Sequence, residues 1–125
     1  MPTRMMNWSE LRAILGRSRR ALLVAHVSPD GDTVGSVLGL SWALRGLEIE
    51  TRLACADPIP TDLRFLPGSE EIAPRTLQDE DVVLAIDASD PARLGSVYAS
   101  LVGAAVPVIN IDHHATNTRY GSLNL

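Results

Sequence analysis

The chain reads as an α/β protein with a doubly wound, mainly parallel β-sheet flanked by helices. Two observations carry that expectation. Short apolar runs of strand length alternate with longer segments at helical spacing, the pattern left by right-handed βαβ crossovers. Histidines and aspartates then crowd directly behind three of those runs, at His26, Asp87 and His113. In open parallel sheets ligands bind beyond the carboxyl ends of the strands, near the point where strand order reverses.

The elements follow in order. Trp8, Leu11, Ile14 and Leu15 recur at helical spacing, so a helix is expected over residues 7–20, with Arg17, Arg19 and Arg20 closing it where positive charge suits a helix C-terminus. Ala21 to Ala25 is a continuous apolar run, a short buried strand. Val34, Val37, Leu38, Leu40, Ser41, Trp42 and Leu44 predict a helix over Thr33 to Leu47, ending at Gly46. Ile49, Thr51, Leu53 and Cys55 alternate in a second strand over Glu48 to Ala56. Asp57 to Pro74 is rich in Pro and Gly and has room for one short helix around Asp62 to Leu66. Asp81 to Ile86 is the third strand. Asp90-Pro91 starts a helix, with Asp90 as N-cap and Pro91 at the first helical position. Pro107 to Ile111 is the fourth strand, and Gly121 to Leu125 reads as the approach to another.

The totals narrow the chemistry. A chain of 125 residues with 46% apolar and 21% charged residues is one ordinary globular domain. A net charge of −4 argues against a broad electrostatic grip on nucleic acid, though not against a small nucleotide held through metals. All 11 basic residues are arginine, which removes P-loop, Schiff-base and lysine-assisted phosphatase chemistry from this chain. The single cysteine, Cys55, permits no intrachain disulfide and no cysteine-based zinc site, and its alternating stretch predicts burial. No secretory leader and no apolar run of membrane-spanning length is visible, so a cytoplasmic protein is expected.

Two motifs hold every histidine. In His26-Val27-Ser28-Pro29-Asp30-Gly31-Asp32, Pro29 biases Ser28 toward an extended shape and Gly31 frees the backbone between the carboxylates. Three ligand groups can then converge before the helix begins. A plain turn with Asp32 as helix cap is the structural alternative. Asp87 has no obvious capping task, because Asp90-Pro91 already serves the next helix. In Asp112-His113-His114, neighbouring side chains behind a strand should point to different sides, one imidazole to a metal and the other to substrate. Asp112 suits the orienting of an imidazole better than ligation. Mixed His and Asp ligands suit Mn²⁺, Fe²⁺, Co²⁺ or Zn²⁺.

These residues resemble a known family. His26 through Ser36, Asp87-Ala88-Ser89-Asp90 and Asp112-His113-His114 are similar, in order and at strand ends, to the first three motifs of the DHH phosphoesterases. Asp90-Pro91-Ala92-Arg93-Leu94-Gly95 and the stretch from Asn117 to Asn124 resemble the family's nanoRNase and phosphoadenosine-phosphate phosphatase branch. RecJ-type exonucleases normally lack the histidine at position 26, and family II pyrophosphatases differ around the shared core. The resemblance implies a metal-dependent phosphoesterase acting on short oligonucleotides or 3′-phosphoadenosine 5′-phosphate, with cyclic dinucleotides as a further substrate class. It implies two divalent ions, Mn²⁺ first and Mg²⁺, Co²⁺ or Zn²⁺ as alternatives. One ion falls to His26, Asp30 and Asp87, and the second to Asp32, Asp87 and His113. His114 would contact the scissile phosphate, with Asp112 beside it in the catalytic pair. The family's fourth motif and its DHHA1 domain are expected just after Asn124, so these residues alone should fold, hold at most one ion firmly and turn over little substrate. A homodimer is compatible with all of this.

Two rivals differ in kind. Asp30-Gly31-Asp32-Thr33-Val34 matches the nucleophile motif of the haloacid dehalogenases, but His26 to Pro29 separate it from its strand and no lysine exists to pair with it. A regulatory module that binds nucleotide without turnover is the other. Dinucleotide binding is weaker, because no Gly-x-Gly-x-x-Gly follows the first strand.

Overall fold

In a computed structural model that describes residues 7–125, the apolar runs Arg20–Val24 (β1) and Val82–Ile86 (β4) pair in parallel at the centre of one sheet. Val24 stands opposite Ala85. Both strands are covered on two faces, which is why they read as continuous rather than alternating apolar runs. Glu50–Ala54 (β2) and Ile72–Ala73 (β3) extend the sheet on the β1 side. Val108–Ile111 (β5) and Leu123–Asn124 (β6) extend it on the other. The order is β3-β2-β1-β4-β5-β6 with every pairing parallel, so strand order reverses between β1 and β4.

Helices cover both faces. On one, Ile14 of Trp8–Gly16 (α1) and Val34, Val37, Leu38 and Leu44 of Gly31–Gly46 (α2) pack on alternate residues of the central strands, among them Leu23, Leu84 and Ile109. On the other, Leu94, Val97 and Leu101, in and around Ser96–Ala99 (α3), pack on Leu22, Val24, Val83 and Ala85. The expected doubly wound sheet is therefore observed, and it is wholly parallel. Among the described residues no helix is long and apolar enough to cross a membrane.

The differences are local and have causes. The opening helix stops at Gly16, because the carboxylate of Asp81 accepts the backbone N–H groups of Arg19 and Arg20 and draws them into the start of β1. The Arg20 guanidinium pairs with Glu50 and Asp79 and does not serve the helix end. Trp42, placed by its spacing on the apolar face of α2, is 63% exposed, while Ser41 turns inward to the Thr51 hydroxyl. Between Asp57 and Pro74 the short helix expected around Asp62–Leu66 is a single 3₁₀ turn, Thr61–Leu63, and a second, Ser69–Glu71, leads into β3. Two residues of strand are too short to leave a periodic signal.

The segment after β4 begins as expected, with the Asp90 carboxylate accepting the Ala92 N–H at 2.8 Å and Pro91 in first position. It forms one 3₁₀ turn, Pro91–Leu94, and is broken at Gly95 before the four residues of α3. Gly95 sits at φ +58, and a Cβ there would lie 2.8 Å from both Ala56 Cβ and Val27 Cγ1. The turn is pressed this closely against the loop behind β1, where Val27 N–H donates to Arg93 O at 2.7 Å. Gly95→Ala should therefore destabilise the fold by about 2–5 kcal/mol, combining a strained backbone with overpacking. Urea unfolding measures it, and a change below about 0.5 kcal/mol, the range of ordinary surface substitutions, would contradict this packing.

Candidate metal centre

His26, two residues beyond β1, is 3% exposed. Its Nδ1 lies 2.6 Å from its neighbour's carbonyl, Val27 O. Only a protonated Nδ1 can satisfy that oxygen, so the proton is assigned there and the Nε2 lone pair is free. That lone pair faces Asp30 Oδ1 at 3.5 Å and Asp87 Oδ2 at 3.6 Å. Cys55, fully buried as its alternation predicts, donates its thiol to His26 O, and burial pushes that thiol's pKa up.

Asp30 is both N-cap and candidate ligand. Its Oδ1 accepts the Thr33 N–H at 3.0 Å, which leads the influences holding its pKa below the usual carboxylate value. Asp32, the alternative cap, lies instead in the first turn of α2. Ser28 departs from the expected extended shape: it takes φ +48, with its N–H donating to the Asp57 carboxylate at 2.7 Å. A charged acceptor outweighs the local preference before proline.

Asp87, first residue after β4, is 6% exposed and adopts φ +63, a left-handed conformation that aspartate tolerates better than most residues. Its N–H donates to Ile111 O at 2.8 Å, tying the end of β4 to the end of β5. While Oδ2 faces His26, Oδ1 lies 2.9 Å from His113 Nε2 and 3.8 Å from His114 Nδ1. Oδ1 is buried and makes no hydrogen bond among the described residues. A buried carboxylate oxygen left without a donor is a position that a cation would satisfy.

His113 Nε2 also lies 3.3 Å from Asp32 Oδ2. The three ligands of the first motif therefore do not converge on one point; Asp32 turns to His113, while His26 and Asp30 stay together. The two adjacent imidazoles do not point to opposite sides either. Residues 112–114 lie past the end of β5, where strand alternation no longer applies, and the rings stand 4.6 Å apart on the same side of Asp87.

Asp112 contacts the ring of His114 and the side chain of Asn117. Its Oδ1 meets His114 Nδ1 at 2.5 Å and its Oδ2 accepts from Asn117 Nδ2 at 2.7 Å. Burial pushes the Asp112 carboxyl upward, but the hydrogen bonds from Asn117 and His114 prevail and hold its pKa below the usual value. In return the hydrogen bond and charge of Asp112 raise the pKa of His114.

Several residues passed over in the sequence hold these groups in place. The Thr33 hydroxyl accepts from His26 N–H at 3.4 Å and donates to Ile86 O at 3.1 Å, joining the ends of β1 and β4. Asn117 donates to the Asn110 side chain at 2.7 Å as well as to Asp112, and its own carbonyl accepts the Arg119 N–H. Asn110, 1% exposed on β5, donates in turn to Ala88 O. A polar residue at a fully buried strand position was the available signal at Asn110. A cavity of about 670 Å³ opens beside Asp112 and His114, with Asn117, Arg119 and Asn124 on its walls.

These spacings fit divalent ions. Ligand atoms about 2.1 Å from a shared ion stand about 3.0–3.5 Å apart at octahedral or tetrahedral angles. His26, Asp30 and Asp87 form one such group, with His26 Nε2 3.5 and 3.6 Å from the two carboxylates. His113 Nε2 stands 2.9 Å from Asp87 and 3.3 Å from Asp32, and the second group that closes around Asp87 contains Asp112, His113 and His114. The oxygens of Asp112 are also close, but His114 and Asn117 occupy them.

Residues 20–124 match the model of the DHH family, N-terminal domain. The chain belongs to the DHH family. A curated relative from Thermus thermophilus, named bifunctional oligoribonuclease and PAP phosphatase NrnA, is 43% identical over 107 residues. That match covers 82% of this chain and 30% of the relative, so the chain spans less than a third of that protein's length. The crystal structure of an exopolyphosphatase-related protein from Bacteroides fragilis superposes with a TM-score of 0.87. It is 23% identical, and the match covers 98% of this DHH chain and 40% of that one.

The Asp112–His114 contact can be tested in the metal-free DHH domain. Asp112→Asn removes the charge that raises the His114 pKa, so the pKa should fall and less of His114 should be protonated at pH 7. NMR titration of the His114 ring reads this directly. An unchanged or higher value in the variant would show that Asp112 does not hold the proton on His114.

Proposed function

We propose that this domain hydrolyses phosphate esters at a two-metal centre, with short oligonucleotides or 3′-phosphoadenosine 5′-phosphate as substrates. The observation that carries the reading is the division of Asp87: one oxygen faces His26 and the other faces His113. His26, Asp30 and Asp87 would hold one ion, and Asp32, Asp87 and His113 the other. Such a pair of ions supplies charge neutralisation and a nucleophile at neutral pH. Mn²⁺ is the ion chosen, on the mixed nitrogen and oxygen donors, with Mg²⁺, Co²⁺ and Zn²⁺ as the competitors in titration. The two activities for which the Thermus relative is named support the substrate class.

The chain's own residues supply the rest. His114, fixed through Nδ1 by Asp112, carries a proton more readily than an ordinary histidine and presents its other nitrogen away from that contact. It is placed to hydrogen-bond the phosphate and to keep a proton at hand for the departing oxygen. Asn117 holds Asp112, and thereby holds the imidazole.

Three substitutions test this in the natural gene product. Asp87→Asn should lower metal-dependent hydrolysis by at least about a thousandfold, because an amide cannot carry negative charge to two cations. Near-normal turnover at unchanged metal concentration would refute the shared role of Asp87. His113→Ala should weaken metal affinity by about ten- to a hundredfold or more, whereas His114→Ala should leave metals bound and lower turnover. Calorimetry showing the reverse pattern would exchange the two assignments.

A further inference from the structure

Arg93 stands against the candidate centre with its charge unspent. Its guanidinium Nη2 lies 3.2 Å from His26 Nδ1, yet the proton on that nitrogen already serves Val27 O at 2.6 Å. A guanidinium has only donors, so it makes no hydrogen bond to a nitrogen that is itself donating. The alternative, Arg93 donating to a bare Nδ1, would put the ring proton on Nε2, the nitrogen that faces Asp30 and Asp87. Among the described residues Arg93 pairs with no carboxylate, whereas Arg20, Arg45 and Arg52 all do.

The position is built by the backbone. Arg93 O accepts Val27 N–H at 2.7 Å, Arg93 N–H donates to Asp90 O at 3.1 Å, and the bare Cα of Gly95 lets the whole turn close onto Val27. The fold thus holds a half-buried cation against the ring of a candidate ligand without giving it an anion. A planar fork of donors matches two oxygens of a phosphate.

We infer that Arg93 binds a non-bridging oxygen of the phosphate seated at the centre, and so contributes to substrate affinity alongside the ions. This rests on the phosphoesterase reading. It assigns Arg93 to the substrate and not to the ligand shell, and the test separates those roles.

Adenosine 5′-monophosphate, the nucleotide left by either proposed reaction, is the probe. With the Mn²⁺-loaded natural gene product, calorimetry should show Arg93→Gln binding it about ten- to a hundredfold more weakly. Arg93→Lys should recover part of the loss, since the charge remains and the fork does not. Mn²⁺ affinity and the urea midpoint should match the wild type in both variants, and KM for a dinucleotide should rise. Unchanged nucleotide affinity in Arg93→Gln would overturn the assignment. Equal losses of Mn²⁺ and nucleotide affinity would overturn it too, because Arg93 would then act through His26. A wild-type protein that binds Mn²⁺ but neither binds nor cleaves phosphate esters would overturn the phosphoesterase reading itself, and Arg93 with it.

Discussion

A carboxylate that is almost entirely buried, with one oxygen lacking any hydrogen bond, needs a positive charge beside it. Asp87 is that group. Burial of an uncompensated carboxylate costs several kcal/mol, so its surroundings must supply cations or protons. Three imidazoles surround it, and none of them hydrogen-bonds its Oδ1. Its backbone is as constrained as its side chain. A left-handed φ turns the carboxylate back over the sheet edge, and the bond from its N–H to Ile111 O keeps it there.

The sheet delivers the partners to this point. Register places Val24 opposite Ala85 and Ile86 opposite Ile111, so the residues just beyond β1, β4 and β5 emerge at one level. The reversal of strand order between β1 and β4 opens the crevice between His26 and Asp87. Thr33 then ties the two strand ends with one hydroxyl, which couples the first turn of α2 to the spacing of the site. The geometry of the candidate ligands and the stability of the fold thus share the same bonds, and a change at Thr33 or Gly95 reaches the site without touching a candidate ligand.

Two layers of polar residues lie outside the candidate ligands and differ in character. On the β5 side the layer is complete: Asn110, Asn117 and Asp112 form a hydrogen-bonded series ending at His114, anchored on a fully buried amide. On the β1 side it is incomplete, because His26 satisfies its own neighbour's carbonyl and leaves the Arg93 guanidinium beside it without an anion. A saturated network holds a group still, whereas an unsaturated cation invites a ligand. The centre is fixed on one flank and receptive on the other.

Composition and spacing alone determined the class of the fold, its central strands and the seven polar residues gathered at their ends, because buried parallel strands and helix caps are local in sequence. Where His26, Asp30, Asp32, Asp87, Asp112, His113 and His114 stand was legible for that reason; how they divide was given by the family resemblance and not by composition or spacing. That Asp32 turns to His113, that both imidazoles of the pair share one side of Asp87, and that Ser28 leaves its preferred conformation for Asp57 were decided by contacts between segments far apart in the chain. The same holds for the two residues of β3, the exposure of Trp42 and the broken helix at Gly95. Periodicity reports which face a residue would take on an isolated element, and only the assembled sheet determines what that face meets.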